Sequence, residues 1–208
     1  MSTAVATKTE YTPEDLLAMP DGKSYELVGG QLVERKMGAK SSWVGGELHA
    51  RLRQYSQEHR LGWALPADNG YQCFSHAPSL VRKPDVSFVR YGRLPGGVLP
   101  DGWIKIRPDL AVEVVSPNDS AAELDEKLED YESAGIPLVW VIYLGSRKAM
   151  VYRGDGSISR VREEDELSGE DIIPGFRCPV REILPRREPL PTVPTNPNGA
   201  SETGPPNA

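Results

Sequence analysis

The chain has 208 residues, enough for one domain with a tail and for a core that needs no disulfide or metal staples. Hydrophobic residues make up 38% and charged residues 26%, which excludes a globally disordered chain. The net charge of -6 argues against a general nucleic-acid binder, although the charge is unevenly spread. Arg82, Lys83, Arg90, Arg93, Lys105 and Arg107 face only Asp85 and Asp101 in their stretch, whereas 119–132 carries seven acids and one base. A basic surface is therefore compatible with an acidic whole.

Met1 to Glu10 has no apolar run of signal-peptide length, and no stretch approaches the length of a membrane span. A cytoplasmic protein without membrane attachment is expected. Cys73 and Cys178 are too few and too far apart for a disulfide framework. Cys73 and His76 form a lone C-x-x-H with no second ligand pair at zinc spacing, so two reduced thiols are the simpler reading.

Thr12-Pro13-Glu14-Asp15 predicts a short helix: a capping threonine, a first-turn proline, and acids at the positive end of the dipole. It should end near Met19-Pro20-Asp21-Gly22. Tyr25 to Val28 and Gln31 to Glu34, joined by Gly29-Gly30, predict a hairpin. Between Ser42 and Glu58 the period becomes helical, with Val44, Leu48, Leu52 and Tyr55 on one face and Gly45-Gly46 allowing close packing. Tyr71 to Phe74 and Val86 to Val89 read as strands. The interval from Tyr91 to Arg107 contains four glycines and reads as a long loop. Leu110 to Val115 is apolar apart from Glu113, which predicts a buried central strand. Ser116 to Asp119 predicts a turn and cap, with Ser116 as the capping residue, followed by a helix from about Ser120 to Ala134 that stops at Gly135. Leu138 to Tyr143 completes a right-handed strand–helix–strand crossover. Ala149 to Tyr152 and Ser157 to Val161 predict a closing hairpin, and a last short element follows near Val180 to Leu184. The division expected is a flexible N-terminus over 1–10, one domain over 11–184, and a disordered proline-rich tail over 185–208.

Glu113 is the residue that calls for chemistry. A carboxylate inside a buried strand costs several kcal/mol unless it is paired or metal-bound. Asp85, at the start of the preceding strand, and Lys127, on the following helix, are the candidate partners. Two carboxylates at adjacent strand ends are hard oxygen ligands that suit Mg²⁺, and a nearby lysine could orient a water or stabilise a phosphorane-like transition state. Each residue also has a simpler reading. Asp85 could cap a turn, Lys127 could pair with Glu123 one turn away, and Glu113 could belong to a buried ion pair.

Taken in order, several segments resemble the Uma family of restriction-endonuclease-like proteins, within the PD-(D/E)XK nuclease superfamily. They are Tyr25-Glu26-Leu27-Val28-Gly29-Gly30-Gln31-Leu32-Val33, Pro84-Asp85-Val86-Ser87-Phe88-Val89, Pro108 to Pro117, Lys127 through Tyr131 to Gly135, Trp140-Val141-Ile142 and Pro174-Gly175-Phe176. The resemblance covers roughly 11–184. It implies an α/β fold (α+β mixed): a restriction-endonuclease-like core, a mixed sheet flanked by helices, with an N-terminal hairpin. It implies Asp85, Glu113 and the backbone carbonyl of Val114 as ligands of Mg²⁺ or Mn²⁺. The usual lysine position falls on Val115, so the role passes to Lys127 on the helix. Glu26 matches an acid of the family's first hairpin and could join the site or stay exposed. Tyr131 could face the same cleft or the core.

The expected function is a metal-dependent endonuclease acting on DNA as a homodimer, with Arg51, Arg53 and the cations between 82 and 107 meeting phosphates. The alternatives are a catalytically inactive nucleic-acid-binding or regulatory protein on the same fold, and a phosphohydrolase of small nucleotides. No P-loop, dinucleotide fingerprint or G-x-S-x-G is present.

Overall fold

In the computed structural model, residues 9–36, 38–117 and 119–187 are described. The flexible N-terminus expected over 1–10 and the disordered tail expected over 185–208 lie outside the described residues, except for 9, 10 and 185–187. Helix α1 (Pro13–Ala18) begins as its sequence dictates, with Thr12 and Asp15 capping each other's backbone N–H groups. Strands β1 (Tyr25–Val28) and β2 (Gln31–Glu34) form an antiparallel hairpin. Both turn glycines take positive φ, 54° at Gly29 and 77° at Gly30, which suits residues without a Cβ.

Helix α2 (Ala39–Glu58) buries Val44, Leu48 and Leu52, the predicted stripe. Close packing does not explain its two glycines. A Cβ at Gly45 would meet Asp85 at an ordinary 3.9 Å, and one at Gly46 would meet nothing within 4 Å. The main sheet runs in the order β3-β4-β5-β6-β7-β8. Its strands are β3 (Gly62–Pro66), β4 (Val86–Arg90), β5 (Leu110–Val115), β6 (Leu138–Tyr143), β7 (Lys148–Arg153) and β8 (Ile158–Arg162). Only β5 and β6 are parallel, joined through α3 (Ala121–Ser133) as the crossover reading requires. A second small hairpin, β9 (Glu166–Ser168) and β10 (Arg177–Pro179), leads into α4 (Val180–Ile183).

Three local expectations need correction. Tyr71 to Phe74 is no strand; Tyr71 alone bridges Arg82 and Ile104 and holds the long loop to the domain. Strand β3 lay unread between a glycine and a proline. The α3 cap is Ser120, which accepts from the Glu123 N–H, while Ser116 N–H donates to Asp119 in the preceding turn.

Alternation along β5 sorts the two sheet faces. Leu110, Val112 and Val114 join the cluster containing α2, Trp140 and Phe176. Ala111 and Val115 belong to the opposite cluster, with Tyr131 and Leu128 of α3. Glu113 therefore points to the α3 side.

Candidate active site

Glu113 is buried, and α3 supplies both of its partners. Lys127 Nζ donates to Oε2 at 2.9 Å, and the Tyr131 hydroxyl donates to Oε1 at 2.6 Å. The spacing of four residues places the lysine and the tyrosine on one helical face. Glu123, the surface partner considered for Lys127, pairs instead with Lys36 at 3.3 Å. Tyr131 serves the core and the site together: it is 1% exposed, with its hydroxyl on the carboxylate.

Glu26 is not an exposed hairpin residue but is 3% exposed. Its Oε1 accepts the Lys83 backbone N–H at 2.6 Å and lies 3.0 Å from Lys127 Nζ. Its Oε2 accepts from Arg82 at 3.2 Å. Arg82 in turn donates through Nε to Asp130 at 2.7 Å. The hairpin, the segment before β4, and α3 are thus tied together by charge: Asp130, Arg82, Glu26, Lys127, Glu113.

Asp85 precedes β4, whose pairing of Val86 with Val112 brings it alongside β5. Its Oδ2 accepts the Val114 N–H at 2.8 Å, and its Oδ1 accepts from Arg35 at 3.1 Å. Glu26, Asp85, Glu113, Val114, Lys127 and Arg35 all line one cleft of about 120 Å³ between the first hairpin and the start of α3. All five sequence-predicted site residues are therefore brought together. Arg35 and Arg82 were missed as members. Arg35 looks like the solvated end of a hairpin, and Arg82 was read as a surface cation although it is 3% exposed. The signal available for Arg82 was its place in Val81-Arg82-Lys83-Pro84, directly before a buried strand.

The reading of 82–107 as a basic surface fails for its first members. Lys83 is 1% exposed, donates to the Gly22 carbonyl at 2.7 Å, and is lowered to about 8, chiefly by burial. Arg93 pairs with Asp109, and Arg90 donates to the carbonyls of Asp171 and Ile172. Arg51 on α2 pairs with Glu182. Cys73 and Cys178 are free thiols, and His76 contacts Asp130.

The electrostatics of the cleft are dominated by burial and crowding. Burial, then the neighbouring Asp85 and Glu26, push Glu113 up to about 7 against the pull of Lys127 and Tyr131. Burial likewise raises Asp85, opposed by Lys127, the Val114 N–H and Arg35. For Glu26, burial is outweighed by Lys127 and Arg82, and its carboxyl is held below the usual range. Lys127 is raised: burial disfavours its charge, and Glu113, Glu26 and Asp85 together overcome that. The lysine is thus an ammonium at any physiological pH.

No curated protein matches the chain. The model of the Uma2 family, described as "Putative restriction endonuclease", matches residues 13–181. The chain belongs to this family. The Uma2 match spans the first helix, the hairpin, the whole sheet and part of α4. Among solved structures, the fold is similar to that of "a putative nuclease belonging to DUF820 from Anabaena variabilis ATCC 29413". The TM-score is 0.70 at 17% identity, covering 83% of this chain and 96% of that one. The restriction-endonuclease-like architecture expected from the sequence is the one observed. Among the described residues, no helix is long and apolar enough to cross a membrane.

Proposed function

We propose that this Uma2 protein is a metal-dependent endonuclease that hydrolyses DNA phosphodiester bonds. The observation that carries the reading is Lys127. An ammonium on a half-buried side chain bridges Glu113 and Glu26 within the cleft that also holds Asp85. One lysine contacts two carboxylates, Glu113 and Glu26, with Asp85 close by, and Asp85 and Glu113 are raised by burial and by repulsion from their neighbours.

The donor set fits Mg²⁺ or Mn²⁺. Asp85, Glu113 and the Val114 carbonyl would hold the ion through hard oxygen atoms, and six acids against four bases line the cleft, a surplus that a divalent cation would relieve. Among the described residues no three His, Cys, Asp or Glu side chains form a ready cation cage, and the Val114 carbonyl would be the third protein oxygen of the set. When bound, the ion lowers the pKa of a coordinated water and neutralises charge on the phosphate.

The remaining work falls to the chain's own side chains. Lys127, held charged, acts as a donor to the attacking water and to the phosphoryl oxygens, not as a base. Glu26 positions the ammonium, and Arg82 fixes Glu26. Tyr131 holds one oxygen of Glu113, setting the direction of the other. A homodimer, placing two such sites on two strands, and a cytoplasmic location belong to the same reading.

The test is incubation of purified protein with plasmid and single-stranded DNA in Mg²⁺, Mn²⁺ or EDTA, beside Glu113→Ala and Lys127→Ala. Metal-requiring cleavage, lost by about a hundredfold or more in both variants, is expected. Cleavage that survives in EDTA would overturn the metal role, and cleavage that survives in Lys127→Ala would remove the lysine from the site. A catalytically inactive nucleic-acid-binding or regulatory protein is the second reading. It is favoured by one observation: all four oxygens of Asp85 and Glu113 already accept protein hydrogen bonds.

A further inference from the structure

The cations expected to meet phosphates are largely buried or paired, which leaves the question of what surface could hold a polyanion. The sheet pairing answers it. Val115, which lines the active-site cleft, is in register with Tyr143, Tyr143 with Lys148, and Lys148 with Arg162. One pair further in, Glu113 aligns with Val141, Val141 with Met150, and Met150 with Arg160. Residues opposite one another on neighbouring strands share a sheet face. Lys148, Arg160 and Arg162 therefore lie on the same face as Glu113. The outermost, on edge strand β8, is three strand spacings from β5, or about 14 Å.

Among the described residues, no carboxylate forms an ion pair with any of these three. Lys148 Nζ stands 5.5 Å from the Tyr143 ring centre, which holds it over the row. The three line an open cleft of about 620 Å³ together with Arg147 and Arg187, which share the single carboxylate of Glu163. Five cations against Glu163 and Glu164 line this cleft, on a chain of net charge -6.

We propose that the row of Lys148, Arg160 and Arg162 is a docking surface for the sugar-phosphate backbone of duplex DNA, leading along the sheet to the cleft of Asp85, Glu113 and Lys127. It rests on the nuclease reading and adds the direction from which the substrate arrives. Charge complementarity selects a polyanion, and alignment with the cleft selects one whose bonds the cleft could reach. Charges on an edge strand can also serve to block edge-to-edge pairing, and the experiment separates that role.

The test measures binding of a short fluorescent duplex by anisotropy, in EDTA, across a salt series. Wild type is compared with Lys148→Glu/Arg162→Glu and with Arg177→Glu, an exposed cation on β10. The expected result is at least about tenfold weaker binding for the double variant, with a shallower salt dependence, and no change for Arg177→Glu. Circular dichroism melts check that all three chains fold, and Lys148→Gln/Arg162→Gln repeats the comparison if the reversed pair does not. Wild type that binds, with the double variant binding equally well, overturns the docking surface and leaves the nuclease reading standing. Equal loss in Arg177→Glu reduces the effect to overall charge and overturns it too. Self-association of the double variant with unchanged DNA affinity assigns the row to edge protection. Wild type that binds no duplex removes both the surface and the DNA substrate.

Discussion

The two faces of the central sheet are built on opposite principles. Toward α2, β5 contributes Leu110, Val112 and Val114 to a core in which Trp140 stacks on Phe176 with ring centres 6.2 Å apart. Toward α3, the same strand contributes Ala111, Glu113 and Val115, and the packing is interrupted by three buried charges, Glu26, Arg82 and Glu113, and by the half-buried Lys127. The first face holds the fold by removing apolar surface from water. The second gives up that stabilisation locally in order to hold charge in a cleft. The charged face is a cost the fold carries, and that cost needs a functional reason.

The two faces differ most in how their stability responds to substitution. Trp140→Ala should lose about 3–5 kcal/mol to the cavity it leaves, and no companion change on α3 should restore it. Lys127→Met should lose a similar ~3–5 kcal/mol, because buried Glu113 loses its one paired cation and Glu26 keeps only Arg82. Adding Glu113→Gln and Glu26→Gln to Lys127→Met should recover most of that loss. Denaturant melts of the four proteins measure it; a triple variant as unstable as the single one would mean the charges stabilise the fold as a network.

Next comes Arg35, whose guanidinium occupies Oδ1 of Asp85. Arg35→Ala frees that oxygen and removes a competing cation. Mn²⁺ affinity should rise about tenfold by calorimetry, the equivalent of ~1.4 kcal/mol. Unchanged or weaker affinity would show that Arg35 orients the carboxylate instead of competing for it.

The smallest effect is a pH slope. Glu113 stands at about 7 when folded and at its ordinary 4.5 when unfolded. Between those values the folded chain retains a proton that the unfolded chain has released. The group's contribution to stability therefore falls as pH rises through that window and is level above it. In EDTA, the stability difference between wild type and Glu113→Gln should drift against wild type from pH 4.5 to about 7. A difference that is flat across that range would place the proton elsewhere in the cluster.

Much of this contrast was readable in the chain. Glu113 stood out because an acid inside Leu-Ala-Val-Glu-Val-Val has no cheap place to go, and the crossover from β5 through α3 to β6 followed from length and pattern. Lys127 was legible only as a candidate on the following helix, open to a surface pair with Glu123, and the resemblance to the Uma family gave it the site role. Glu26 and Tyr131 were ambiguous for one physical reason: a short hairpin and a single helical turn do not reveal which neighbour covers them. Arg82 and Lys83 were misread because two cations before a proline look like surface, whereas long-range contacts to Asp130, Glu26 and Gly22 bury them. Arg35 carried no local signal, because its partner lies fifty residues away. Strand β3 is framed by a glycine and a proline and gains its identity only by pairing with β4.

The most direct measurement is a calorimetric titration of Mn²⁺ into wild type, Asp85→Asn and Glu113→Gln. One binding event per chain in wild type, absent from both variants, is the expected result. No binding by wild type, or equal binding by all three, would contradict the assignment of the α3 face as a metal-dependent catalytic centre.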